Sequence, residues 1–268
     1  MADGCPTAPT LSLCGKESAL IVVASTECHA ELPLVEAISK LNDLEYTGVE
    51  IAIHENGGPI RPSEVLADTD TAIARCRDTH RLDIASYSLE IEAEGDAYYK
   101  QFEAITKLAK ATKVVTLIIP SGLLGTPFNE EVERLRKLVS IAELQGVRVG
   151  MLSQVGRLSE DPDTVAVLCD NVKGLGLAFD PSQYICGPHY NKNVDKLMKY
   201  VYHVHLRDTK KDQMQVRVGQ GEVDYGRLVG LLRQAGYSRA LSVHISEMAD
   251  VDHMVELRKM RLLLESLL

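Results

Sequence analysis

Two histidines, His203 and His205, lie two residues apart in the run His203-Val204-His205-Leu206-Arg207-Asp208. On a β-strand, residues i and i+2 share a face, so both imidazoles point one way and Val204 and Leu206 the other. A buried parallel strand normally fills both faces with Val, Ile and Leu. Two imidazoles on one face are therefore unfavourable unless something there binds them. Two other runs repeat the pattern. In Gly174-Leu175-Gly176-Leu177-Ala178-Phe179-Asp180, the residues Gly176, Ala178 and Asp180 share a narrow face that ends in a carboxylate. In Leu241-Ser242-Val243-His244-Ile245-Ser246, the polar face is Ser242, His244 and Ser246. Three strands thus bring a metal ligand or an acid/base group to the C-terminal end of one face. A core histidine explains one such residue; three together suit metal binding or proton transfer. Glu50 and His54 add a second carboxylate and imidazole, opposite Val49, Ile51 and Ile53.

The elements that must position these groups alternate along the chain. Strands are expected at 19–24, 48–53, 82–88, 113–119, 147–152, 174–180, 200–206 and 240–245. Helices are expected at 32–42, 62–79, 96–111, 129–145, 161–170, 191–198, 224–235 and 250–268. Acidic first turns (Asn129-Glu130-Glu131 and Ser159-Glu160-Asp161-Pro162) mark two helix starts, and Gly146 and Gly236 mark two ends. Strict strand–helix alternation implies parallel strands with right-handed crossovers. About eight such units close a (β/α)8 barrel of roughly 250 residues. A doubly wound open sheet is the structural alternative, but the first strand–helix turn lacks a glycine-rich phosphate loop. No linker or composition break divides the chain, so residues 1–268 are expected to form one domain. In a barrel, the active site lies at the C-terminal strand ends. Asp180, His205 and His244 would converge there.

Composition narrows the function classes. The 45% hydrophobic and 25% charged content is that of a globular protein. The net charge of −9 argues against a nucleic-acid backbone as partner, which calls for a basic stripe. No apolar run approaches a membrane span of roughly 20 residues, and residues 1–9 do not resemble a signal peptide. The six cysteines, Cys5, Cys14, Cys28, Cys76, Cys169 and Cys186, are scattered without a CxxC pair. That suits reduced thiols and a cytoplasmic protein. Cys28 beside His29 could be read as a nucleophile with its base, although adjacent side chains usually point apart. Gly219-Gln220-Gly221 has no preceding strand and reads as a loop turn rather than a phosphate cradle.

From His203-Val204-His205-Leu206-Arg207-Asp208 onward the chain continues with Gly219-Gln220-Gly221-Glu222-Val223-Asp224-Tyr225, then Ala235-Gly236-Tyr237, then Leu241-Ser242-Val243. With Gly48-Val49-Glu50 and Gly146-Val147-Arg148-Val149, this order resembles the xylose isomerase-like TIM barrels, the sugar isomerase/epimerase group that also contains endonuclease IV. The resemblance is sharpest after about residue 174. It implies a divalent metal held by Glu, Asp, His and Glu from strands five to eight. Asp180 matches the aspartate and His205 the histidine. His244 stands where the strand-eight glutamate would be, Leu152 where the strand-five glutamate would be, and Gln183 where a further histidine is often found. The two glutamates that move the proton in the family's epimerases are thus both missing.

The expectation is a divalent metal (Mn, Co, Mg, Zn or Fe) on Asp180, His205 and His244. His244 and His54 would serve catalysis, and Glu50, Gln183, Arg207 and Lys211 would contact substrate. Arg207 and Lys211 suit a phosphate or carboxylate, and His203 a supporting role. The reaction would be isomerisation or epimerisation of a small sugar, sugar phosphate or related polyhydroxy carbonyl compound. A lyase or dehydratase on a similar substrate, and a barrel that binds a sugar without turnover, are the alternatives; Leu152 favours the last. An endonuclease IV-like nuclease would need more ligands and a basic groove. A homo-oligomer is left open.

Overall fold

The structure, a computed structural model, describes residues 20–268. The expectations for Cys5, Cys14, residues 1–9 and residue 19 lie outside the described residues. Eight parallel strands close a barrel in chain order: β1 (Ile21–Ser25), β2 (Gly48–His54), β3 (Asp83–Glu90), β4 (Thr116–Pro120), β5 (Arg148–Leu152), β6 (Leu175–Phe179), β7 (Val201–Leu206) and β8 (Ala240–Val243). β1 pairs with β8, Ile21 opposite Ala240 and Ala24 opposite Val243, so the sheet has no free edge. This excludes the open doubly wound alternative.

The barrel is wrapped by α1 (Leu34–Asp43), α2 (Pro62–Ala67), α3 (Thr69–Arg77), α4 (Gly95–Ala111), α5 (Phe128–Glu143), α6 (Pro162–Asn171), α7 (Pro181–Ile185), α8 (Tyr225–Gln234) and α9 (His253–Glu265). Each long helix buries one stripe. In α1, Leu34, Ala37, Ile38 and Leu41 are buried at the i, i+3, i+4, i+7 spacing. They join the outward-facing strand residues in one core that includes Leu177, Phe179, Val204 and Leu206.

Two expected helices differ from the observed ones. The span 62–79 is broken at Asp68, whose side chain accepts from Thr71 N and caps α3. A cap satisfies a free helix N–H locally, so a second helix can start without continuing the first. The helix expected at 191–198 is instead a 3-10 turn, Asp195–Tyr200, which Asn193 Oδ1 initiates by accepting from Asp195 N at 2.8 Å. The helix after β6 is the short α7, started by Pro181 and by the Asp180 side chain accepting from Ser182 N at 2.9 Å.

A bulge between β6 and β7 decides which β7 residues face inward. Leu177 pairs with Val201 but Ala178 with His203, leaving Tyr202 unpaired. An extra residue re-aims the side chains around it. The Tyr202 ring lies over Gly176, where a Cβ would meet it at 2.1 Å. Among the described residues, no helix is long and apolar enough to cross a membrane.

A candidate active site at the barrel mouth

Glu50, expected to contact substrate, is fully buried on β2 and does not line the mouth cavity. Its Oε2 accepts from Ser86 Oγ at 2.8 Å and faces His203 Nε2 at 2.6 Å and His205 Nε2 at 2.9 Å. Its Oε1 is buried with no partner. Burial alone would raise the Glu50 pKa; the His205 and His203 imidazoles outweigh it and hold the carboxyl well below its usual range. The two histidines divide in consequence. Burial wins at His203, whose pKa is lowered. At His205 it is outweighed by the carboxylates, Glu50 first and then Asp180 and Glu27, and the pKa is raised. The pair of imidazoles conspicuous in the sequence is thus a charge-balanced floor of the site.

The rim is set by the loop after β1. Ser25 Oγ accepts from Glu27 N, Thr26 Oγ1 from Ala52 N of β2 at 2.9 Å, and Cys28 Sγ contacts Val243 O and Ile245 N at 3.4 Å. These contacts pin the 3-10 turn Thr26–His29 between β2 and β8. Glu27 therefore lies between His244, at 2.9 Å from Nε2, and His54, at 3.4 Å from Nε2. Burial pushes the Glu27 carboxyl up, but His244 and then His54 outweigh it and hold it at about 2. The same turn buries the Cys28 thiol and pushes its pKa up to about 12, which disfavours the thiolate that a nucleophile needs.

Arg207 crosses the other side. Its Nη2 lies 3.1 Å from Asp180 Oδ2 and 3.1 Å from His244 Nδ1. A guanidinium only donates, so His244 keeps its lone pair on Nδ1 and donates from Nε2 to Glu27. A chain of contacts, Asp180–Arg207–His244–Glu27–His54, spans the mouth. Burial would raise the Asp180 pKa, yet Arg207 and then His205 lower it. Arg207 Nε is buried without a partner.

His54, Asp180, His205, Arg207 and His244 all line one cavity of about 160 Å³, with Glu27, Leu152 and Gln154. The expected ligand trio is not gathered about one point. His205 turns to Glu50, while a guanidinium occupies the side of Asp180 that faces His244. Among the described residues, the mouth offers Glu50, His203 and His205, or Glu27, Glu50 and His244, as sets whose donor atoms lie within 4.8 Å of one another; neither contains Asp180. Gln183 does not line the cavity; it donates to Asp180 at 3.3 Å and accepts from Val155 N at 2.9 Å, holding the aspartate in place. Lys211 also lies off the cavity, its Nζ 3.6 Å over the Tyr190 ring. The sequence reading missed Glu27, because it ended the first strand at residue 24. A carboxylate just past a barrel strand was the available signal.

Gly219 and Gly221 do form an anion cradle, but for the chain's own Asp208. Its Oδ2 accepts from Gly219 N at 2.8 Å and Gly221 N at 3.0 Å. A Cβ on Gly221 would lie 1.9 Å from Asp208 Oδ1.

Comparison with known proteins agrees with this architecture. A D-tagatose 3-epimerase-like protein superposes with a TM-score of 0.71 at 15% identity, covering 92% of this chain and 97% of that one. A probable 3-DHS dehydratase, AsbF, from Bacillus anthracis superposes at 0.69 with 12% identity, covering 92% and 98%. A protein from Mycobacterium smegmatis in complex with magnesium does so at 0.69 with 16% identity, again covering 92% and 98%. Identities this low establish the shared fold alone. No curated protein sequence matches the chain. Residues 38–260 match the family described as xylose isomerase-like TIM barrel. The chain belongs to the xylose isomerase-like TIM barrel family.

Proposed function

We propose that the barrel mouth moves a proton at a carbon next to the carbonyl of a small polyhydroxylated compound, as an isomerase or epimerase. The observation that carries this is the Glu27–His244–Arg207–Asp180 chain along the cavity wall, which sets acid/base groups beside a cation. Enolisation needs both: a group to take the proton, and positive charge where the oxygen becomes anionic. His54 and His244 are the proton carriers in this reading. Glu27, between them, orients both rings. Arg207, on the cavity wall, supplies the fixed charge.

Glu27 and Glu50 bring two carboxylates together that would hold a divalent ion, with His244 as a third ligand only once Nε2 gives up its proton and Nδ1 parts from Arg207. Two carboxylates and an imidazole lie within reach of one another, and Glu50 Oε1 is a buried anionic oxygen lacking any donor. Such an ion, when bound, polarises a substrate carbonyl. Relative to the set implied by the family resemblance, the ligands shift from strands five to eight towards strands eight, one and two. Leu152 removes one ligand of the former set and Arg207 already neutralises Asp180. Asp180 then acts as the anchor of Arg207, and His205 as the counter-charge of Glu50.

A dehydratase reading on a carboxylate-bearing polyol is favoured by one feature, the Arg207 guanidinium on the cavity wall, because such a group matches a carboxylate. One experiment separates the readings. Ketoses and polyhydroxy acids are incubated in D2O with Mn- or Mg-supplemented protein and followed by NMR. Deuterium entering the carbon next to the carbonyl, and lost in His54→Ala and Glu27→Gln, supports isomerase or epimerase chemistry. Appearance of an alkene signal supports the dehydratase. Ligand binding without exchange or elimination across the panel overturns both and leaves a binding barrel.

A further inference from the structure

A second cluster of ligand-type side chains lies outside the mouth site. His29 ends the 3-10 turn after β1, His253 is the first residue of α9, and Glu247 lies on the loop that joins β8 to α9. Each offers a donor atom, and the three atoms lie within 4.8 Å of one another. The two rings meet edge to face, centroids 5.1 Å apart and planes at 88°. The residues line a cavity of about 460 Å³ with Glu31, Lys40, Ser246 and Met254.

Two details show more than coincidental proximity. His29 is only 6% exposed, yet its Nε2 is buried with no hydrogen-bond partner. A buried nitrogen left without a partner is unfavourable, and few native groups are left so. His253 Nε2 lies 2.6 Å from the Cys28 carbonyl oxygen. A carbonyl can only accept, so His253 is protonated at Nε2 and has its lone pair on Nδ1. Metal-ligating histidines are typically set in this way, one ring nitrogen donating to a backbone carbonyl and the other left to ligate.

We propose that His29, His253 and Glu247 form a binding site for an imidazole-preferring divalent transition ion such as zinc, cobalt or nickel. Two imidazoles and one carboxylate make a three-ligand set that leaves a coordination position for water or a small ligand. Ligands of a tetrahedral ion at ~2.1 Å stand about 3.4 Å apart, so the donors need only a small closure. Glu247 is exposed and on a loop, and can make it. The ion ties the loop after β1 to the loop after β8. Those two loops carry Glu27 and His244, so the tie holds the rim of the mouth site.

The test uses the full-length protein stripped with chelator, then titrated with Co(II) by calorimetry and visible absorption. The variants are His29→Ala, Glu247→Gln and His253→Asn, with Glu27→Gln as a mouth-site control. Circular dichroism confirms folding, and Glu247→Gln, an exposed loop change, keeps the test valid if a histidine variant fails to fold. Wild type is expected to bind an ion that Glu27→Gln retains and that Glu247→Gln weakens by more than about tenfold, the lower end of what losing even an outer partner costs. In the Glu27→Gln background, where the mouth site is disabled, the melting temperature rises with Co(II) or Zn(II), and adding His29→Ala abolishes the rise. Binding that is absent in wild type, or unchanged in both Glu247→Gln and His29→Ala, overturns the proposal.

Discussion

Replacing Glu50 by Gln tests the organisation of the mouth most directly. The carboxylate receives His203, His205 and Ser86 on one oxygen and carries the negative charge that sets His205. An amide can turn its own oxygen to the two imidazoles, but it then points an NH2 to the side where Oε1 already lacks a partner. The orphan is not relieved and the charge is lost. Removing one member of a buried pair costs about 3–5 kcal/mol. With an unfolding entropy of ~2.1 cal/mol/K per residue, a 268-residue chain loses roughly 5–9 °C in melting temperature. The assay is thermal and denaturant unfolding of chelator-treated protein between pH 4 and 8. The sign follows from the two shifts. Glu50 is depressed, so its contribution is present above about 4.5 and lost as the pH falls through its native value. His205 is raised, so its contribution is present below about 6.5 and lost as the pH rises through its native value. Wild type therefore gains most from the pair between these limits, and Glu50→Gln flattens that maximum. A loss below about 1 kcal/mol with an unchanged pH profile would refute an ionised Glu50 paired with His205.

Three further outcomes are expected. Gly176→Ala forces the Tyr202 ring from its place at the β6–β7 bulge and destabilises by about 1–3 kcal/mol in urea unfolding; a neutral result would mean that the ring moves freely. Asp208→Ala strands the Gly219 and Gly221 amides and lowers stability by about 1–3 kcal/mol, and hydrogen exchange at those two amides should accelerate before the barrel strands respond. The Cys28 thiol, buried and pushed up to about 12, resists iodoacetamide at pH 8 in the native state and reacts on unfolding, as peptide mapping would show; labelling at the rate of an exposed thiol would contradict its burial.

The alternation of apolar runs was enough to specify eight strands with intervening helices, because strand and helix periodicities are local and every crossover must be right-handed. The helix breaks at Asp68 and before Asp195 were not legible, since one side-chain cap there outweighs propensity. For the site, the sequence by itself determined that Asp180, His205 and His244 lie near C-terminal strand ends. Strand alternation and barrel closure require that of any chain with this pattern. Tertiary structure alone decided which of these groups meet. Glu27 reaches His244 because Thr26 and Cys28 anchor its loop to β2 and β8, contacts 26 and 215 residues apart in sequence. Glu50 meets His205 across the barrel, 155 residues away. Arg207 turned out to occupy the space between Asp180 and His244, which spacing cannot foretell, because a long side chain's direction depends on the charges facing it.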